Sequence, residues 1–247
     1  MTRLLRAELI KLRTTRTFYA LAGVAIGLSL LLTILTASIG DTTQDSVLND
    51  VFQNDTSTLF IMILAIVGIT GEWRHRTITS SLLAAPDRIR FLAAKTLAFA
   101  AAGTLLSLGI SIAVSIAGFA ILGARDLPTP HLGDLLELIG RNAGAAAVLG
   151  AFGVGVGSLV RNQPVAIVGI LLAAFVVDPL LGQFAHDVEV YSPTGALPSA
   201  IQGISPADVG MEKVDFLAAV PAVGVMLVWI GGLFGLGAAL LVKRDVE

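Results

Sequence analysis

Residues 18–39 read FYALAGVAIGLSLLLTILTASI, a run of 22 residues without a charged side chain. The hydrocarbon core of a bilayer is about 30 Å thick, so an α-helix needs about 20 apolar residues to cross it. This stretch is long enough and apolar enough to do so. It predicts a membrane-spanning helix near the N-terminus.

Five further segments share this character, and we predict a single all-α transmembrane domain over residues 1–247. The second segment carries polar residues in its outer turn, and the last is long enough to tilt. The predicted spans are residues 18–39, 53–71, 91–122, 139–160, 165–184 and 216–242. Between the last two spans, three prolines interrupt a long segment, for which we predict short surface or re-entrant helices instead of a seventh span.

The composition supports a surface that faces lipid. Of the 247 residues, 55% are hydrophobic and 14% charged, whereas a soluble domain has about a quarter of its residues charged. The 26 glycines suit close helix packing, and we expect Gly153 with Gly157, and Gly231 with Gly235, to lie at helix contacts. There is no cysteine, which excludes disulfides, zinc–thiolate sites and thiol nucleophiles.

The basic residues are distributed unevenly between the two ends of the predicted spans. With the N-terminus in the cytoplasm, only Arg125, Arg141 and Lys213 of the sixteen Lys and Arg residues fall outside. Cytoplasmic connections carry the excess of Lys and Arg in membrane proteins. We therefore expect both termini in the cytoplasm of a multi-pass protein of the bacterial cytoplasmic (inner) membrane.

The first 17 residues predict an amphipathic helix that lies along the membrane surface. Its apolar stripe consists of Met1, Leu5, Leu9 and Leu12, and basic residues flank that stripe. Such a helix suits an anionic inner leaflet. Simple anchoring and docking of a partner both remain open for it.

The connection between the second and third spans, residues 72–95, reads EWRHRTITSSLLAAPDRIRFLAAK. Residues 77–85 predict a short helix, since Pro86 disfavours helical geometry in the residue before it. Asp87 then predicts the N-cap of a new helix that leads into the third span. Glu72 and Arg76 have the i,i+4 spacing of an ion pair. A basic loop without any partner is the alternative.

This connection resembles the corresponding loop of the type 2 permeases of ATP-binding-cassette (ABC) exporters. In that family an acidic residue ends the second span, and a Thr, a Pro, an Arg and a Lys follow in order; here they are Glu72, Thr77, Pro86, Arg88 and Lys95. The stretch RAELIKLRTTRTF at residues 6–18 is similar to the interfacial helix of the family, and GVGVGSLVRNQPVAIV at residues 153–168 to its fourth-to-fifth hairpin.

The resemblance implies a concrete assembly. Residues 77–85 would form a coupling helix in a groove of a separate ATPase, with the interfacial helix beside it. Two permease copies, identical or related, and two ATPase subunits would make the complex, with ATP and Mg on the ATPase. The residues implied in coupling are Glu72, Arg76, Thr77, Thr79, Leu82, Leu83, Pro86 and Arg88, and those on the interfacial helix are Arg6, Glu8, Lys11 and Arg13.

Motifs for catalysis are missing from the sequence. No GxxxxGK[ST] phosphate-binding loop occurs, so we expect no enzyme activity, no bound cofactor or metal and no nucleic-acid partner for this chain. Charged residues inside spans are functional candidates by default. Arg141 and Asp178 qualify as path-lining candidates, although Asp178 is expected at the outer interface, satisfied by water. A secondary carrier is disfavoured, because no acidic residue is evident near mid-membrane.

Two functional hypotheses follow. The first is the membrane-spanning subunit of an ATP-driven exporter. The second is a non-transporting membrane subunit that recruits a cytosolic partner, such as an immunity, assembly or signalling factor. The 72–95 connection would serve either role, so the sequence does not separate them.

Overall fold

The computed structural model describes residues 1–40, 42–74, 77, 87–160 and 162–243. Within these residues all regular structure is helical, and six helices are long and apolar enough to cross a membrane. In chain order the helices are α1 (Thr2–Thr14), α2 (Arg16–Ile39), α3 (Ser57–Arg74), α4 (Arg88–Ala124), α5 (Leu132–Leu159), α6 (Gln163–Phe184), α7 (His186–Glu189), α8 (Ala196–Gln202) and α9 (Ala219–Lys243). The prediction of an all-helical protein with six candidate spans is confirmed.

Helix α5 lies at the centre of the bundle. It packs against α3, α4 and α9, and 72% of the residues in its most apolar part are buried inside the protein. Gly153 and Gly157 permit this packing, because an added Cβ would lie 2.6 Å from the Met62 carbonyl oxygen and 2.4 Å from an Ile69 methyl group, respectively. The expectation of a helix contact at these two glycines is confirmed.

The last span does not follow the same expectation. Gly231 and Gly235 are exposed, and no heavy atom of another segment lies within 4 Å of an added Cβ at either position. The prediction of a close contact at these two glycines is therefore wrong within the described chain. Four-residue spacing of glycines permits close approach without requiring it.

The second span departs from its predicted bounds of 53–71. The chain forms a π-helical turn at Leu48–Phe52, leaves helical geometry over residues 53–56, and starts α3 at Ser57. The break has a local cause: the Asp55 carboxylate accepts the Ser57 backbone N–H at 2.8 Å and so caps α3. Val47, Val51 and Phe52, which precede the predicted span, are also buried.

Other helix ends also differ from the hydropathy-based bounds. Helix α5 begins at Leu132, seven residues before the predicted start at 139, and α9 begins at Ala219, three residues after the predicted start at 216. Hydropathy locates the apolar part of a helix, whereas the helix itself continues wherever its backbone hydrogen bonds continue. The start of α4 agrees with its sequence signal, because the Asp87 carboxylate accepts the N–H groups of Ile89 and Arg90 at 3.1 and 3.0 Å.

Candidate functional site

Four charged side chains meet at the end of the bundle where α1 crosses α4. The Lys95 ammonium lies 2.7 Å from the Glu8 carboxylate and 2.8 Å from that of Glu72. The Lys11 ammonium lies 2.8 Å from Glu8 and 3.1 Å from Glu72. We call Glu8, Lys11, Glu72 and Lys95 the charge cluster. It joins α1, the last turn of α3 and the second turn of α4.

The charge cluster is balanced and largely withdrawn from solvent. Glu8, Glu72 and Lys95 are 5%, 7% and 2% exposed, which is tolerable for ionised groups only when each has a partner of opposite charge. Burial alone would raise the pKa of Glu8, but the ammonium groups of Lys95 and Lys11 outweigh it and hold that pKa below its ordinary value. Burial would lower the pKa of Lys11, and the two carboxylates raise it instead.

A cavity of about 790 Å³ opens beside the charge cluster. The four charged side chains stand at its polar end together with Arg74 and Thr77, and its deeper wall is apolar. The apolar lining comes from four spans, namely Leu21 of α2, Ile63 and Val67 of α3, Phe99 of α4 and Ile167 of α6. The cavity is therefore amphipathic along its length.

The C-terminal helix reaches the same end of the bundle. The Arg88 guanidinium donates a hydrogen bond to the Leu241 carbonyl oxygen, which ties the start of α4 to the end of α9. Thr77 is held at this end too, because its backbone N–H donates to the Glu72 carbonyl oxygen at 3.0 Å. The N-terminal helix, the C-terminal helix and both ends of the α3–α4 connection consequently share one end of the molecule.

The predicted coupling residues divide between described and undescribed parts of the chain. Glu72, Thr77 and Arg88 lie in the arrangement above. Arg76, Thr79, Leu82, Leu83 and Pro86 lie outside the described residues. On the interfacial helix, Glu8 and Lys11 belong to the charge cluster, whereas Arg6 and Arg13 are exposed.

The two path-lining candidates lie in separate contacts. Arg141, in the third turn of α5, is partly exposed and pairs with Glu137 at 2.5 Å. Asp178 is 3% exposed, and its carboxylate accepts the hydroxyls of Ser192 at 2.8 Å and Thr194 at 2.5 Å. The expectation that water satisfies Asp178 is wrong, because the segment that follows α6 folds back and supplies the two hydroxyls.

A second carboxylate accompanies Asp178. Glu189 is fully buried; its Oε1 accepts the Ala196 N–H at 3.1 Å, and its Oε2 has no hydrogen-bond partner. Burial, and then repulsion from the Asp178 carboxylate, raises the pKa of Glu189 to about 7, although the Ala196 N–H opposes the change. Neither the pair nor its hydroxyl partners were predicted, because the groups are separated along the chain by turns without a periodic pattern.

Sequence reasoning also missed a polar layer inside the bundle. Asp55 is buried, and its carboxylate accepts the hydroxyls of Ser107 at 2.5 Å and Ser111 at 3.2 Å, both on α4. Asn142 of α5 is completely buried and accepts the side-chain amides of Gln53 and Gln202 at 3.3 and 3.1 Å. Asp55 was expected in the polar outer turn of the second span, and no acidic residue was expected near mid-membrane. Its carboxylate is instead buried against the middle of α4.

Comparison with known proteins places this chain in no family. No protein-family model matches it, and no curated protein matches it either. Among the described residues, no group of three or more His, Asp or Glu side chains is arranged to hold a metal ion. The charge cluster and the cavity beside it are therefore the features from which a function can be inferred.

Proposed function

We propose that this chain is the membrane-spanning permease subunit of an ATP-driven exporter of the ABC type 2 class. It would act as a dimer, homomeric or with a related chain, and would couple to two copies of a separate ATPase subunit that binds ATP and Mg. Both termini would lie in the cytoplasm, and the protein would reside in the bacterial inner membrane. The observation that carries the proposal is the charge cluster.

The charge cluster contains residues from both ends of the connection between α3 and α4. Glu72 lies at the start of that connection and Lys95 soon after its end, and the two side chains are in direct contact at 2.8 Å. Glu8 adds the N-terminal helix to the same contact. A protein that docks on the connection would consequently act on three helices through one set of ion pairs.

The energetics favour motion of the three helices as one unit. Breaking a buried ion pair by removal of one partner costs about 3–5 kcal/mol. If a docked protein moves the connection, α1, α3 and α4 would therefore tilt together, because separating them would break these ion pairs. Tilting these helices would reshape the amphipathic cavity, whose walls come from α2, α3, α4 and α6. Docking of the ATPase would in this way change the shape of the cavity inside the bundle.

The experiment that tests the proposal is co-purification with an ATPase encoded beside this chain. Replacement of residues 77–85 by a Gly/Ser linker of equal length should abolish retention of the ATPase. The matched control replaces residues 205–213, a nine-residue segment at the other end of the bundle, and should retain it. Full retention after the first replacement would contradict the proposal.

A transport measurement separates the exporter from a non-transporting recruiter of the same ATPase. In inverted vesicles, ATP-dependent uptake of a substrate should require both this chain and an ATPase with intact ATP hydrolysis. Stable binding of the ATPase without ATP-dependent uptake of any candidate substrate would favour the recruiter.

A further inference from the structure

Asp55 occupies the break in the second span, between the π-helical turn and α3. One carboxylate oxygen accepts the Ser57 N–H at 2.8 Å, and the other accepts the hydroxyls of Ser107 and Ser111. The residue is 6% exposed and Ser107 is fully buried. An interruption of a transmembrane helix exposes backbone groups that the helix would otherwise satisfy, so such breaks occur where protein buries them or where they line a cavity. In transporters, broken helices form substrate and ion sites.

The carboxylate lies deep in the bundle. Its partner Ser107 follows Lys95 by twelve residues of α4, which is about 18 Å along the helix axis, and precedes Arg125 by eighteen residues, about 27 Å. The hydrocarbon core of a bilayer is about 30 Å thick. With the charge cluster at one interface, Asp55 falls within that core.

No basic group neutralises Asp55 among the residues that the structure describes. Every ion pair found there involves other carboxylates. The polar side chains of this layer are uncharged on each element that contributes: Ser29 and Thr33 on α2, Ser107 and Ser111 on α4, Asn142 on α5 and Gln202 on α8. An ionised carboxylate without a counter-charge is costly at this depth.

Unused oxygen atoms accompany the carboxylate. The Ser57 hydroxyl and the Gln53 amide oxygen are buried and have no hydrogen-bond partner, and each is two residues from Asp55 in the chain. Gln53 also belongs to the non-helical residues 53–56. Carboxylate, hydroxyl and amide oxygens are the ligands that hard cations prefer. One carboxylate matches one positive charge, which favours a monovalent cation over a divalent one.

We propose that Asp55, with the oxygens around the helix break, binds Na⁺ inside the membrane. The bound cation neutralises the carboxylate and stabilises the break in the second span. Ser57 and Gln53 supply further oxygens to the bound Na⁺. This inference stands without the exporter proposal, since it concerns a site within one chain.

The test compares the full-length protein in lipid nanodiscs with its Asp55→Asn variant. Both are built in a Glu189→Gln background, which removes another buried carboxyl. Unfolding is followed by fluorescence of the two tryptophans, Trp73 and Trp229. Na⁺ is varied from zero to 150 mM against N-methylglucamine at constant ionic strength and constant pH.

A ligand that binds only the folded state raises the melting temperature. If Na⁺ is bound, the Tm with Asp55 present rises by about 3 °C or more, and Asp55→Asn removes the response. Equal responses with and without Asp55, or no response to Na⁺, overturn the proposal.

Two further variants guard against a failure of Asp55→Asn to fold. Ser111→Ala removes the longer of the two serine hydrogen bonds and should weaken the cation response while the carboxylate remains. Asp208→Asn changes an exposed carboxylate at the far end of the bundle and should leave the response unchanged. A response that Ser111→Ala does not shift, or that Asp208→Asn also removes, counts against the site.

Discussion

The Lys95 ammonium lies 2.7 Å from the Glu8 carboxylate, although 87 residues separate them in the chain. Lys95 is also the largest ionisable side chain among those that are almost fully buried. Its second partner, Glu72, comes from a different helix, so that a single cation connects three elements. This relationship makes Lys95 the residue on which the charge cluster depends.

Replacement of Lys95 by Met should destabilise the protein strongly. It keeps the volume of the side chain but, among the described residues, leaves Glu8 and Glu72 with only the half-exposed Lys11 as a counter-charge. Breaking a buried pair in this way costs about 3–5 kcal/mol, which unfolding in mixed micelles measures. The control is Arg90→Met, which breaks the exposed pair with Asp87 and should cost less than about 1 kcal/mol. Similar losses for both variants would contradict the importance of burial.

Glu8→Gln should separate docking from transport if the exporter proposal is correct. The change weakens the link between α1 and α4 while residues 77–85 remain intact for the ATPase. We expect retention of the ATPase close to wild type and a lower rate of ATP-dependent transport, measured in the same vesicles. Arg13→Gln, on the exposed face of the same helix, serves as control and should preserve both. Equal transport rates for the two variants would argue against a role of α1 in coupling.

Gly153→Ala should destabilise the contact between α3 and α5. The new Cβ would lie 2.6 Å from the Met62 carbonyl oxygen, a backbone atom that moves only with its helix. Overpacking of this kind costs about 1–3 kcal/mol. Gly144→Ala on the same helix meets no atom within 4 Å and should be neutral or stabilising by up to about 1 kcal/mol. Thermal unfolding of both variants gives the comparison, and equal Tm values would contradict the close approach.

Much of the fold was predictable because a membrane span leaves a signal in consecutive residues. The apolar run at 18–39, the capping carboxylate of Asp87 and the spacing of Gly153 and Gly157 all act locally or along one helix face. Hydropathy measures the free energy of transferring a residue into lipid. It contains no information about a hydrogen-bond partner from another helix that would offset this free energy. For this reason it placed Asp55 in the exposed outer turn of the second span, whereas Asp55 is buried.

The candidate site was less predictable for the same reason. Glu8, Glu72 and Lys95 were each noted, from the resemblance or from the charge pattern, but their convergence depends on how α1 crosses α4. The local spacing indicated a pair between Glu72 and Arg76, and Arg76 lies outside the described residues. The two lysines that pair with Glu72 come from other helices, and no local spacing indicates them. Contacts between distant segments follow from the packing of whole helices, which no window of the sequence contains.

Stability should fall as pH rises through the range in which Glu189 titrates. Its pKa is about 7 in the folded protein, against an ordinary value of 4.5. Between these values the folded state keeps a proton that the unfolded state has released, so the free energy of unfolding decreases from about pH 4.5 to 7 and then levels off. The causes are burial first and then the nearby Asp178 carboxylate.

Glu189→Gln isolates this contribution, because the amide has the shape of the protonated acid and does not titrate. Melting temperatures from pH 5 to 8 should show a shallower decline for the variant than for the wild type, and the variant should be the more stable of the two at pH 8. Glu212→Gln, an exposed carboxylate in the same half of the chain, should follow the wild-type profile. If the melting temperature of Glu189→Gln declines with pH as steeply as that of the wild type, the Glu189 carboxyl is ionised throughout this range. Repulsion between Glu189 and Asp178 then does not control the stability of this end of the bundle.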